Sequence, residues 1–252
     1  TEGKYTSLQT AVHNRTKEVV TVKIVDKTKI NKKSDMYYNE ILLMKYLHHP
    51  NIVRYITMYE DYKCIYVIME GMTGDNLINY LINDKDVDNK RKLQLMYQVS
   101  SVIDYLHSLG IIHRDIKPNH ILMTDRSKQA MVKLCDFSLS TYLSEEEAST
   151  TKCGTLNYMA PEIFLGKPYN KMIDIWSMGM LYYHILFLSL PYGDLDDSDG
   201  NKKKKIEFIC YKDIVMPELD SVGKHIVTAC LRRNPTDRCK LKLVLDELKH
   251  YK

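Results

Sequence analysis

No CxxC pair occurs in this chain. Its six cysteines, Cys64, Cys135, Cys153, Cys210, Cys230 and Cys239, are scattered over 252 residues. That spacing argues against a zinc ribbon or a disulfide framework and for a reducing compartment. A long apolar run is also missing. The longest candidate lies at positions 173–191, where Asp174, Ser177 and His184 interrupt it, so it reads as a buried helix and not as a membrane span. No signal-peptide pattern opens the sequence. Its first residue is Thr1 and falls inside a strand-like pattern, from which a longer parent protein is expected. There is little surplus charge: 36 Lys and Arg face 32 Asp and Glu, and a formal +4 is too small to argue for a nucleic-acid partner. Internal repeats are absent. What remains is ordinary globular composition, 44% hydrophobic and 27% charged, in a chain long enough for two lobes around one cleft.

The patterning divides the chain in two. Residues 1–25 alternate like strands, with a turn at Thr16 and Lys17 and a β-branched run at 19–25. Apolar residues recur at helical spacing from 34 to 48, and Pro50 closes that helix. Further strands are predicted near 52–59 and 64–69. Gly71 and Gly74 then loosen the chain, which marks a linker at 71–75 between an N-terminal part (1–70) and a C-terminal part (76–252). A long amphipathic helix is predicted over 90–109, ended by Gly110. Short strands follow at 121–123 and 131–134, and the pattern after Pro161 is helical. The basic run Lys202 to Lys205 reads as a solvated loop before a helix, with a docking patch as the alternative.

His113-Arg114-Asp115-Ile116-Lys117-Pro118 follows the long helix and precedes a strand. It is similar to the catalytic loop of protein kinases. Five more markers arrive in order. Val20-Thr21-Val22-Lys23 resembles the third-strand lysine motif, where a charge in an apolar strand needs a partner, and Glu40 is that partner by resemblance. Asp136-Phe137-Ser138 resembles the metal-binding DFG triplet, and Ala160-Pro161-Glu162 the APE triplet. Asp174-Ile175-Trp176-Ser177-Met178-Gly179 resembles the helix that anchors the catalytic loop, and Arg238 the arginine that pairs with the APE glutamate. The 153–158 segment, the Asp174 helix and Arg238 are read as holding the fold and not as doing chemistry. The chain is thus identified as a member of the protein kinase family, of the Ser/Thr class by Asp115-Ile116-Lys117-Pro118 and Gly154-Thr155-Leu156-Asn157-Tyr158. Leu231 to Pro235 with Val244-Leu245-Asp246 resembles polo-type and calmodulin-dependent-type members.

The resemblance implies an α+β, two-lobed kinase fold: a small antiparallel β-sheet lobe with one major helix, and a mainly helical lobe. It implies transfer of the γ-phosphoryl group of ATP to protein Ser/Thr hydroxyls, with Mg2+ or, alternatively, Mn2+. Asp115 would orient the attacking hydroxyl, Lys117 offset charge near the γ-phosphate, and Lys23, held by Glu40, grip the α- and β-phosphates. Asp136 would hold the metal. Gly3, Leu8, Thr21, Met69, Glu70, Met72 and Leu122 would line the nucleotide site, and Thr155 would dock substrate beside Asp115. Because Arg114 precedes the catalytic aspartate, a regulatory phosphosite is expected at Thr151, with Thr150 and Ser149 as alternatives. Asn76 and Asn119 stand where arginine-directed kinases tend to carry glutamates, so no strong demand for upstream arginine is expected. ATP and a protein substrate are the expected partners, and the cytoplasm or nucleus the expected location.

Four departures from the family pattern cluster on the nucleotide. The glycine loop keeps only Gly3, with Thr1 and Thr6 at the flanking glycine positions. Thr21 replaces an adenine-roof alanine. Ser138 replaces the DFG glycine, with expected strain of about 1 kcal/mol if a left-handed backbone is required. His120 replaces the metal-binding asparagine, and imidazole is a poor ligand for magnesium. Losing one preorganised electrostatic contact costs about 10²–10³ in rate, so His120 is the departure that matters most. Two readings stay open on the sequence: an active kinase, slow or favouring manganese, and a pseudokinase that binds nucleotide or acts as a scaffold.

Overall fold

The computed structural model describes residues 6–30, 34–84, 87–144, 146–193, 198–217 and 222–252. Strands β1 (Thr6–Val12), β2 (Val19–Asp26), β3 (Tyr55–Glu60) and β4 (Cys64–Glu70) form one antiparallel sheet in the order β1-β2-β4-β3. The β-branched run of β2 places it at the centre, between β1 and β4. Lys17, at φ 62°, makes the turn of the first hairpin, where the sequence expects it. A short helix α1 (Lys27–Ile30) precedes the long helix α2 (Ser34–Tyr46), which turns Tyr37, Glu40, Ile41 and Met44 inward. Ile52 starts no strand, contrary to the pattern. It bridges instead to Leu134, so β3 begins three residues later.

The linker runs close to both parts of the chain. A Cβ on Gly71 would sit 2.5 Å from the Val19 carbonyl oxygen, and one on Gly74 2.5 Å from those of Met123 and Asp125. No side chain fits either position without moving backbone. Beyond the linker lie α3 (Leu77–Asn83), which the patterning missed, and α4 (Asn89–Ser108). The Asp88 carboxylate caps α4 by accepting from the Arg91 N–H at 2.7 Å, and Gly110 ends it at φ 70°. Leu95, Met96, Val99, Val102, Ile103 and Leu106 make α4 the buried spine of the helical part.

Short pairs β5 (Ile111–Ile112) with β8 (Thr141–Tyr142), and β6 (Ile121–Met123) with β7 (Val132–Leu134), carry the loops of the site. Helices α5 (Pro161–Phe164), α6 (Met172–Phe187), α7 (Asp199–Tyr211), α8 (Val222–Cys230) and α9 (Leu241–Leu248) complete the chain. The basic run lies within α7, not in a loop: Lys203 and Lys204 are exposed, while Lys205 is buried with its ammonium 5.8 Å from the Tyr192 ring centroid. A four-stranded sheet with one major helix, followed by a helical remainder, is the expected α+β arrangement. No helix among the described residues is long and apolar enough to cross a membrane.

Candidate active site

The loop between β5 and β6 is fixed from beneath by α6. Asp174, fully buried, accepts from the backbone N–H of His113, the N–H of Arg114 and Nε2 of His107, each at 2.9 Å. Burial opposes the charge on this carboxylate, but the hydrogen bonds outweigh it and hold the pKa below the usual range. This clamp supports Arg114 in a left-handed conformation, at φ 68°, with its Nε donating to the Leu139 carbonyl at 2.5 Å. A non-glycine residue costs about 1–2 kcal/mol there, and the fixed contacts offset it.

Asp115, Lys117 and Thr155 close a triangle. Lys117 Nζ donates to Asp115 Oδ2 and to Thr155 Oγ1, both at 2.8 Å, and Thr155 Oγ1 donates to Asp115 Oδ1 at 2.6 Å. Asn119 is exposed and His120 faces inward. Nδ1 of His120 lies 2.9 Å from the Asp115 carbonyl oxygen, and Nε2 lies 3.1 Å from Asp136 Oδ2. Both ring nitrogens thus face oxygen atoms, and the ring is held between the Asp115 backbone and the Asp136 carboxylate.

Asp136 sits at φ 63° after β7. Burial would raise its pKa, but the His120 bond and the nearby Lys23 charge prevail and hold it well below the carboxylate range. The strain expected at Ser138 does not arise: the left-handed residue is Asp136, and Ser138 donates its N–H to Asp136 Oδ1 at 3.2 Å from an ordinary backbone conformation. Across the cleft, Lys23 Nζ lies 2.6 Å from Glu40 Oε1. Burial alone would lower the Lys23 pKa, yet the charges of Glu40 and Asp136 outweigh it and raise it. Contacts and field therefore run without a break from Thr155 through Asp115, His120 and Asp136 to Lys23 and Glu40.

The residues expected to line the nucleotide site are placed unevenly. Thr21 pairs with Met69 between β2 and β4, Leu8 with Lys23 between β1 and β2. Met69 is buried, Met72 is partly buried against the core, and Leu122 is the half-buried middle residue of β6. The Glu70 carboxylate accepts from Lys133 Nζ and the Arg54 N–H, both at 2.7 Å. Its side chain is committed to β7 and the loop before β3. Gly3 lies outside the described residues. Thr150 and Thr151 are exposed, and the Thr151 carbonyl accepts from the Tyr169 hydroxyl at 2.7 Å.

Sequence reasoning missed Lys133. It is buried and also donates to the Ile52 carbonyl at 3.4 Å. The available signal was a lysine inside a short apolar strand, the same signal that singled out Lys23.

Of the donors at the site, the Asp136 carboxylate fits one magnesium, whose other oxygens would come from phosphate and water. A second magnesium does not fit on donor chemistry, because the position that would supply its oxygen carries the His120 imidazole, already bonded to Asp136.

A family model for the protein kinase domain matches residues 2–248. The chain belongs to the protein kinase family. It is 36% identical over 181 residues to calcium/calmodulin-dependent protein kinase type 1 of Macrobrachium nipponense, covering 72% of this chain and 52% of that one. It is 31% identical over 246 residues to calcium-dependent protein kinase 5 of Plasmodium berghei, covering 97% and 43%. It is 34% identical over 197 residues to mouse ribosomal protein S6 kinase alpha-2, covering 77% and 26%. The chain thus spans about half or less of these relatives. This kinase domain has the two-lobed kinase fold.

Proposed function

We propose that this domain is an active ATP-dependent protein serine/threonine kinase, with lobes divided at the 71–75 linker and the nucleotide between them. The observation that carries the reading is the closed triangle of Asp115, Lys117 and Thr155. It holds a carboxylate oxygen and an ammonium a few ångströms apart, one to orient a substrate hydroxyl and the other to offset charge on the phosphoryl group. Lys23, kept charged by Glu40, grips the α- and β-phosphates. Thr155 releases part of the Asp115 carboxylate when a substrate hydroxyl arrives. A magnesium held by Asp136 would supply charge neutralisation on the phosphates. The His120 imidazole occupies the position of a second metal's ligand, at a cost in rate.

Asn76 caps α3, accepting from the Asn79 N–H at 3.0 Å, and, like Asn119, carries no charge to pair with a substrate arginine, so no upstream arginine requirement is proposed. Phosphorylation of Thr151 or Thr150 would order the segment further, and an intracellular location fits both phosphate donor and free thiols.

The test is transfer of labelled γ-phosphate from ATP to a serine/threonine peptide library, in magnesium and in manganese. Asp115→Asn is expected to lower the rate by about 10²–10⁴, the range for a positioned acid–base group. Transfer no greater than that of Asp115→Asn in both metals would leave a non-catalytic binding module instead.

A further inference from the structure

The scattered cysteines contain one close pair. Cys230, the last residue of α8, and Cys239, just before α9, bring their sulfurs to 3.5 Å, within hydrogen-bond distance for thiols. A backbone bond from the Cys239 N–H to the Ala229 carbonyl, 3.1 Å, holds the two segments in register. Cys230 is fully buried, and Cys239 is partly exposed. Both sulfurs are present as free thiols. We propose that Cys230 and Cys239 form a reversible peroxide-sensing pair that closes to an intramolecular disulfide.

The two thiols are unequal in a way that suits this chemistry. The S–H···S contact favours the Cys239 thiolate and lowers its pKa, while the same contact and burial raise that of Cys230. The exposed sulfur is therefore the better thiolate and the buried one the resolving thiol. In the first step the Cys239 thiolate attacks one oxygen of hydrogen peroxide. The O–O bond breaks, hydroxide leaves and takes up a proton, and Cys239 becomes a sulfenic acid. The Cys230 sulfur then attacks that sulfur. The S–O bond breaks, and the departing hydroxide takes the Cys230 proton. Two thiols and one peroxide give one disulfide and two waters. A small-molecule dithiol reverses the reaction by exchange.

The bridge would close a short loop that contains Arg238. That guanidinium donates to Glu162 of α5 and to the carbonyls of Met172, Arg232 and Arg233, so the loop holds the end of the segment that begins at Asp136. Transient redox-sensing disulfides of this kind occur in reducing compartments, where structural ones do not persist.

The test titrates the reduced chain with hydrogen peroxide and follows intact mass and cysteine-containing peptides. Expected is a loss of two hydrogens, reversed by dithiothreitol, with the bridge mapped to Cys230 and Cys239. Cys230→Ser is expected to trap a sulfenic acid at Cys239, and Cys239→Ser, a change at a partly exposed site, to abolish the mass loss. Closing so short a loop is expected to raise the melting temperature by roughly 5 °C. Oxygen addition without hydrogen loss, a bridge mapped to other cysteines, or a melting temperature that does not rise on oxidation would overturn the proposal.

Discussion

Arg238 presents two nitrogens to Glu162 at 2.7 Å each, and its guanidinium lies 5.2 Å from the Trp176 ring centroid. Both side chains of the pair are buried. Removing one partner leaves a buried charge, so Arg238→Met is expected to cost about 3–5 kcal/mol, or on the order of 10 °C in melting temperature. Calorimetry of the variant checks this, and a loss within about 1 °C would show the fork to be dispensable. His120 is a second residue whose effect can be stated. His120→Asn removes the imidazole from Asp136 and supplies an amide oxygen. Magnesium-dependent transfer is expected to rise by up to about 10², with manganese-dependent transfer rising less. Initial rates in each metal decide it, and an unchanged or lower magnesium rate would count against this account of the position. A lone ammonium in the β-branched strand demanded a partner for Lys23, and the family resemblance named Glu40 as that partner. The Lys133–Glu70 bond was not legible, because its partners lie 63 residues apart and no local pattern links them. The backbone relief at Ser138 was also hidden, since the sequence does not say which residue of the triplet takes the left-handed conformation.

Among the elements, α6 shows how packing overrides propensity. Gly179 lies inside that helix, where alanine would ordinarily gain close to 1 kcal/mol. Yet a Cβ there would stand 2.7 Å from Cβ of Cys230 and 2.9 Å from Leu231 Cδ2. Overpacking of this kind costs about 1–3 kcal/mol, so it wins, and Gly179→Ala is expected to lower the melting temperature by several degrees. A stabilised variant would mean that α8 can yield. The long helices α2 and α4 were readable from periodicity, because each buries one face, and α6 from its long apolar run, because it buries nearly all of its surface. Short elements were less so. β3 lost its first residues to a bridge with Leu134, and α3, capped by Asn76, is only seven residues long, so its buried Leu77, Ile78, Tyr80 and Leu81 make too short a repeat to stand out.

On the scale of the whole molecule, burial has a consequence for pH. His49, His113 and His184 each have a pKa lowered by desolvation. Their neutral forms are favoured by folding, whereas the unfolded chain takes up protons below about pH 6.5. Stability is therefore full above that value and falls with pH below it, until the folded imidazoles protonate in turn. The melting temperature is expected to drop between pH 7 and pH 5, and His113→Phe to flatten that slope. A slope unchanged in the variant would remove His113 from the account. In the sequence, Gly71 and Gly74 were the only marks of a linker between a β-rich and a helical part. What the sequence could not show was how closely the two parts are tied, through Lys133 to Glu70 and through the Leu134 N–H to the Asn51 carbonyl at 2.8 Å. The most direct measurement is a crystal structure with a non-hydrolysable ATP analogue and magnesium. It should show phosphate oxygens within hydrogen-bond reach of Lys23 Nζ, a single metal on Asp136, and the terminal phosphate facing Asp115. A nucleotide bound elsewhere, or a cleft in which Asp136 keeps His120 and takes no metal, would contradict the proposed chemistry.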